Sequence, residues 1–302
     1  MRRLSDFALA LTLVALAPLA ACGPDGPATE EVTAEERRAV RLDGRQLVLD
    51  GFAGDVSVTA VPGLDEVEVV FTKRAKGATE GQAQGRLEQI RIEEAGDGEL
   101  YQFVWRTDLE GTVRVDAEAR VPLAADVVVR LGAGEITANG LRGPFDAETG
   151  AGDLRADHLR TPSLTARTGS GDLTLGAAFL PPEARWTGET GSGDLVLQLA
   201  PSASARVRAE SGAGGLDLDP RLAFSNVRQS GDVARVGFQG TLGAGQARVD
   251  VNTGAGDVEL LRYTPPAPES EAAQATTPVR PDSARRDTSA APEARPPAAS
   301  GE

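Results

Sequence analysis

The chain has one cysteine, Cys22, and one histidine, His158, in 302 residues. A lone cysteine excludes an intramolecular disulfide and any cluster of thiolate metal ligands. With a single imidazole as well, most metalloenzyme sites and histidine-based triads lack a required member. Aromatics are scarce at 4%, so a core has to be assembled from Leu, Val and Ala in thin layers. Positive charge is in deficit: 31 Lys and Arg against 45 Asp and Glu give a formal net charge of −14. Such a chain repels phosphate backbones, which argues against a nucleic-acid partner, and it repels anionic lipid for the same reason. The 35 glycines follow no collagen-like period and read as turns.

The N-terminus starts Met1-Arg2-Arg3 and continues in an apolar run from Phe7 to Ala17. That run is short of the ~20 residues a membrane-spanning helix needs and fits the apolar region of a secretory signal. It ends at Leu19-Ala20-Ala21-Cys22, which resembles the bacterial lipobox. The resemblance implies that Leu19, Ala20 and Ala21 form the cleavage motif of a signal peptide over residues 1–21. It also implies that Cys22 becomes the acylated first residue of the mature protein, and two or three acyl chains hold a protein stably where one is marginal. Gly23 stands where an aspartate would retain a lipoprotein in the inner membrane, so in a Gram-negative cell the resemblance favours the outer membrane. Residues 22–39, rich in Pro, Gly, Glu and Thr, are expected to be a flexible tether.

A Gly-x-Gly-acid-apolar motif recurs along the centre. It appears as Gly132 to Ile136, Gly150 to Leu154, Gly169 to Leu173, Gly191 to Leu195 and Gly254 to Val258, with a degraded copy from Gly212 to Leu216. The steps are 18, 19, 22, 21 and 42 residues. The double step predicts one more turn around Ser230-Gly231-Asp232-Val233. After each acid, Ile136, Leu154, Leu173, Leu195, Leu216 and Val258 align, with a second apolar column two residues on. Before each glycine pair a second strand aligns on Phe145, Leu164, Trp186, Val207 and Val249. Polar residues alternate with these columns, as in strands with one buried face.

One such unit of about 20 residues cannot bury its apolar face alone, but stacked units close a core. The pattern predicts an all-β fold: a single-stranded, parallel β-helix-like solenoid with Gly-x-Gly-Asp corners. The corner residues are Gly134, Gly152, Asp153, Gly171, Asp172, Gly193, Asp194, Gly256 and Asp257, and their expected role is structural. Gly54-Asp55-Val56 echoes the motif, so the solenoid is expected to begin near residue 45. Lys73 to Leu87 read as a loop, and alternating Tyr101, Phe103 and Trp105 as a wider or capping section. With the phrase Val115 to Leu123, these repeats resemble the bacterial "putative adhesin" domains, β-solenoids related to head-domain adhesins. The resemblance covers about residues 40–262, and it implies the fold far more than an activity. Residues 263–302, rich in Pro, Ala, Ser, Glu and Arg, read as a disordered tail.

No catalytic or metal site and no cofactor is expected. The acidic column Glu135, Asp153, Asp172, Asp194 and Asp257 has twice the spacing of nonapeptide Ca²⁺ solenoids, and turn chemistry accounts for it. The Gly-x-Gly pairs have no following helix or Gly-Lys-Ser/Thr, so they are not nucleotide loops. His158 reads as a surface loop residue. Glu148, Arg167 and Glu189 are expected to pair charges between adjacent turns. The expected function is therefore a lipid-anchored, non-enzymatic envelope protein facing the periplasm or the exterior, an adhesin-like binding or scaffold module for a polysaccharide or an envelope protein. Alternatives are an envelope-stress or assembly accessory and a polysaccharide-acting β-helix enzyme.

Overall fold

A computed structural model of the protein describes residues 30–109, 111–231 and 235–265. The first part of the chain forms β1 (Glu30–Val40), β2 (Gln46–Ala53), β3 (Val56–Val61), β4 (Val67–Gly77), helix α1 (Glu80–Leu87), β5 (Arg91–Gly96), β6 (Leu100–Arg106) and β7 (Val113–Pro122). Four regular coils follow, each a pair of strands meeting at a glycine corner. They are β8 (Val127–Ala133) with β9 (Ile136–Asn139), β10 (Phe145–Ala151) with β11 (Leu154–Leu159), β12 (Ser163–Ser170) with β13 (Leu173–Ala177), and β14 (Arg185–Ser192) with β15 (Leu195–Leu199). The last part comprises β16 (Ala205–Ser211), β17 (Leu216–Leu218), β18 (Ser225–Gly231), β19 (Val236–Leu242), β20 (Ala247–Ala255) and β21 (Val258–Arg262).

Each coil places one strand in each of two sheets, of 10 and 11 strands, and the sheets enclose one core. The coils pair in parallel, and the apolar columns seen in the sequence lie in register. On one sheet Phe145, Leu164, Trp186, Val249 and Val207 form one ladder. On the other, Ile136, Leu154, Leu173, Leu195, Val258 and Leu216 form a second. Leu154, Leu173 and Leu195 are fully buried, and burying a Leu contributes about 1.5–3 kcal/mol. The fold is thus the β-solenoid of the repeat.

Spatial order departs from sequence order at both ends. The coil β20/β21 lies directly on β14/β15, and β16/β17 is the outer coil. At the other end β6/β7 lies outside β2/β3. The solenoid therefore has eight coils and begins at residue 46, close to where Gly54-Asp55-Val56 suggests.

Both ends are covered by chain running the other way. β4 pairs antiparallel with β7, β1 with β4, and β5 with β6. Helix α1 packs on β4 and β1 and buries Ala83 and Leu87, four residues apart on one helix face. In the core Phe71 of β4 meets Phe103 at a tilt and Trp105 edge-on, with ring centroids 5.4 and 5.5 Å apart. At the far end β19 pairs antiparallel with β16 and carries β18 outside it. There Phe224 and Phe238 meet at 5.0 Å. β18 is exposed along its length, and a register shift between Ser225 and Arg228 disrupts its pairing, which blunts an open edge.

Several expectations are corrected. Residues 30–39, assigned to the tether, belong to β1, because β4 supplies a partner for every residue from Glu30 to Val40; residues 22–29 lie outside the described residues. Lys73 to Leu87 form the end of β4 and α1 instead of a loop. Thr79 caps that helix by accepting the Gln82 N–H, and its burying face offsets the low helix propensity of Gly81 and Gly85. No extra solenoid turn forms at Ser230-Gly231, which ends the antiparallel strand β18; Asp232 and Val233 lie outside the described residues. The motif there lacks the first glycine of the pair. Tyr263, assigned to the tail, is buried against the folded unit; residues 266–302 lie outside the described residues.

Candidate functional site

The corners are built from backbone contact between coils. Gly54, Gly134, Gly152, Gly171, Gly193 and Gly256 have φ between +121° and +141°, a region essentially reserved for glycine. A Cβ at Gly171 would lie 2.3 Å from the Gly152 carbonyl oxygen, and one at the first glycine of the pair, Gly169, 2.4 Å from that of Gly150. The first glycine is needed for the close approach, the second for both the approach and its φ.

Two side-chain ladders lock the same corners. Thr149, Thr168, Thr190 and Thr253 are buried, and each hydroxyl donates to the second-glycine carbonyl of the coil before it, at Gly134, Gly152, Gly171 and Gly193. Ser211 does the same to Gly256. Outside the corner, the carboxylates of Asp153, Asp172 and Asp194 accept the backbone N–H of Asp172, Asp194 and Asp257 at 2.8–2.9 Å. Asp257 accepts from Gly215, Asp55 from Glu135, and Asp116 from Asp55. The carboxylates are spent on the backbone of the neighbouring coil. Among the described residues no group of three or more His, Cys, Asp and Glu could hold a metal ion.

His158 lies inside β11, at φ +56°, where the register with β13 shifts. It is half-buried and meets Tyr263 edge-on at 5.7 Å. Burial, with the charge of Asp157, pushes the Tyr263 hydroxyl above its ordinary pKa. Asp157 is held by Arg155 at 2.8 Å. The histidine therefore packs against the chain just after β21, in a bulge instead of the surface loop expected.

The polar outer faces remain. Glu148, Arg167, Glu189 and Asn252 stand in register across four coils. Arg167 donates to Glu189 at 3.0 Å. They flank an open groove over Gly150, Gly169, Gly191 and Gly254. Cys22, Leu19, Ala20 and Ala21 lie outside the described residues, and no helix among those described is long and apolar enough to cross a membrane.

Parallel coils, inward apolar ladders and glycine corners closed by antiparallel caps define a short capped β-solenoid. The chain belongs to the Toastrack DUF4097 family, which matches residues 41–261. It is similar to a solved structure of a putative cell adhesion protein from Clostridium sporogenes, at 13% identity and a TM-score of 0.48, covering 77% of this chain and 100% of that one. It is also similar to a putative adhesin from Bacteroides fragilis, at 10% identity and a TM-score of 0.36, covering 78% of this chain and 99% of that one. No curated protein matches it.

Proposed function

We propose that this protein is a lipid-anchored protein of the bacterial cell envelope whose solenoid is a non-enzymatic, adhesin-like binding module. What carries the reading is the division of labour among the polar residues. The acidic and hydroxyl columns at the corners are consumed in holding coil to coil. The long outer faces keep charged and amide side chains in solvent, on a rigid repeating frame that suits an extended polymer or a protein surface. The anchor reading rests on Leu19-Ala20-Ala21-Cys22 behind an apolar signal segment. In a Gram-negative cell the outer membrane is the favoured location.

Replacing Cys22 by Ser tests the anchor. The native protein should incorporate fatty-acyl label and sediment with the envelope, and Cys22→Ser should lose both. A Cys22→Ser protein that still takes up label or still sediments would contradict it.

A further inference from the structure

The net charge of −14 conceals a local reversal. On the outer face of the sheet containing β14, β20 and β16, Arg185, Arg248 and Arg206 stand in direct register on three adjacent coils. Strands in a sheet lie ~4.8 Å apart, and like charges directly opposite disfavour pairing. Two residues along β16 from Arg206, Arg208 lies in register with Gln239 on β19, and Gln239 with Arg228 on β18. These five arginines line two adjoining depressions that share Gln246, Arg248 and Asp250. Arg248 is tied to Asp250 at 2.6 Å and Arg208 to Glu210 at 2.5 Å. Among the described residues, Arg185, Arg206 and Arg228 have no carboxylate within ion-pair distance. The neighbouring register, where Arg167 answers Glu189, shows the balanced arrangement that this row lacks.

We propose that this arginine face binds an acidic polysaccharide, one bearing uronate carboxylates along its chain. The inference rests on the binding-module reading above and names its ligand class. Guanidinium groups recognise carboxylates through paired hydrogen bonds. Asn226, Gln239, Thr241 and Gln246 beside them supply donors and acceptors for sugar hydroxyls. A face spanning several coils accommodates a ribbon lying across them. A uniform anionic bilayer fits less well. Asp250 and Glu183 are interspersed with the arginines, the chain is acidic in sum, and among the described residues the exposed large apolar side chains are Phe179 and Val227. Salt screens distant charges within ~10 Å, so this local field governs a ligand at the face.

The test is binding of the full chain to polygalacturonate. Dextran, phosphatidylglycerol vesicles and polyglutamate serve as neutral, membrane and peptide comparisons. Polygalacturonate should bind, more weakly as salt rises, and each of the others at least ~10-fold less tightly. The exposed triple variant Arg185→Gln, Arg206→Gln, Arg248→Gln should lose ~10-fold in affinity with its melting temperature kept. Arg114→Gln, Arg120→Gln, Arg130→Gln removes the same charge elsewhere and should change affinity less than ~2-fold. Equal losses in the two variants, no loss in the first, or vesicles or polyglutamate binding as tightly would overturn the proposal. If the chain ignores polygalacturonate but binds dextran or isolated envelope polysaccharide, this assignment falls alone. If it binds no polymer and no envelope fraction, the binding-module reading falls with it.

Discussion

At the scale of single residues, the fold depends on atoms that are absent. Gly171→Ala would place a Cβ 2.3 Å from a neighbouring carbonyl oxygen at φ +140°, and we expect a loss of about 3 kcal/mol in denaturant unfolding. Gly81→Ala, in α1 with open space around its Cβ position, should instead gain about 0.5–1 kcal/mol. Similar effects at the two sites would contradict the corner account. The aspartate ladder makes a second prediction. Asp153, Asp172, Asp194 and Asp257 each accept an N–H from the next coil, whereas Glu135 accepts none from Asp153. Glu135→Asp should complete the ladder and raise stability by roughly 0.5–1 kcal/mol. An unchanged or lower unfolding midpoint would show that the ladder contributes nothing. The columns of glycine and aspartate were legible because each motif repeats in sequence. The partners of their polar atoms were not, because every one of those bonds runs between coils.

At the scale of elements, legibility followed the simplicity of the pattern. Coil strands alternate cleanly, as in Leu173-Thr174-Leu175, and the sequence shows them directly. β1 does not show in the sequence because its inward positions include Glu36 and Arg38. These two pair with each other, and Glu36 also meets Lys73 on β4 at 2.7 Å. Burial acts to raise the Glu36 pKa, but the hydrogen bond and charge of Lys73, with those of Arg38, outweigh it and hold the carboxyl below 4.5. At the other end Arg221, chiefly through its side-chain hydrogen bonds, holds Asp219 well below 3.8, and Asp219 also accepts the Arg262 N–H. A lowered folded pKa favours the ionised form, so this stability is full above the ordinary carboxylate values and is lost as pH falls through the folded ones. Acid should therefore loosen β1/β4 and the β17–β21 end before the central coils. Amide hydrogen exchange from roughly pH 5 downward should show it. Glu36→Gln should flatten the dependence at β1. An identical acid response in that variant would refute the assignment.

At the scale of the molecule, the repeat was legible and the order of its coils was not. β16 and β20 present matching columns, Val207 with Val249 and Ala209 with Val251. Either could follow β14 on side-chain grounds, and only the hairpin β18/β19 needs β16 at the outside. Covered ends replace the bare ends that repetition alone would leave. Residues 30–265 form an acidic solenoid with an arginine sector, and Cys22 is the proposed anchor. The central proposal is that it is an adhesin-like binding module displayed at the cell surface. Protease treatment of intact cells tests this most directly, with Cys22→Ser as the anchoring control and a periplasmic protein as the integrity marker. The account predicts that the native protein is degraded while the marker survives, and that Cys22→Ser is absent from the cell surface. Full protection of the native protein, with release only on opening the envelope, would contradict surface display and turn the binding face toward the periplasm.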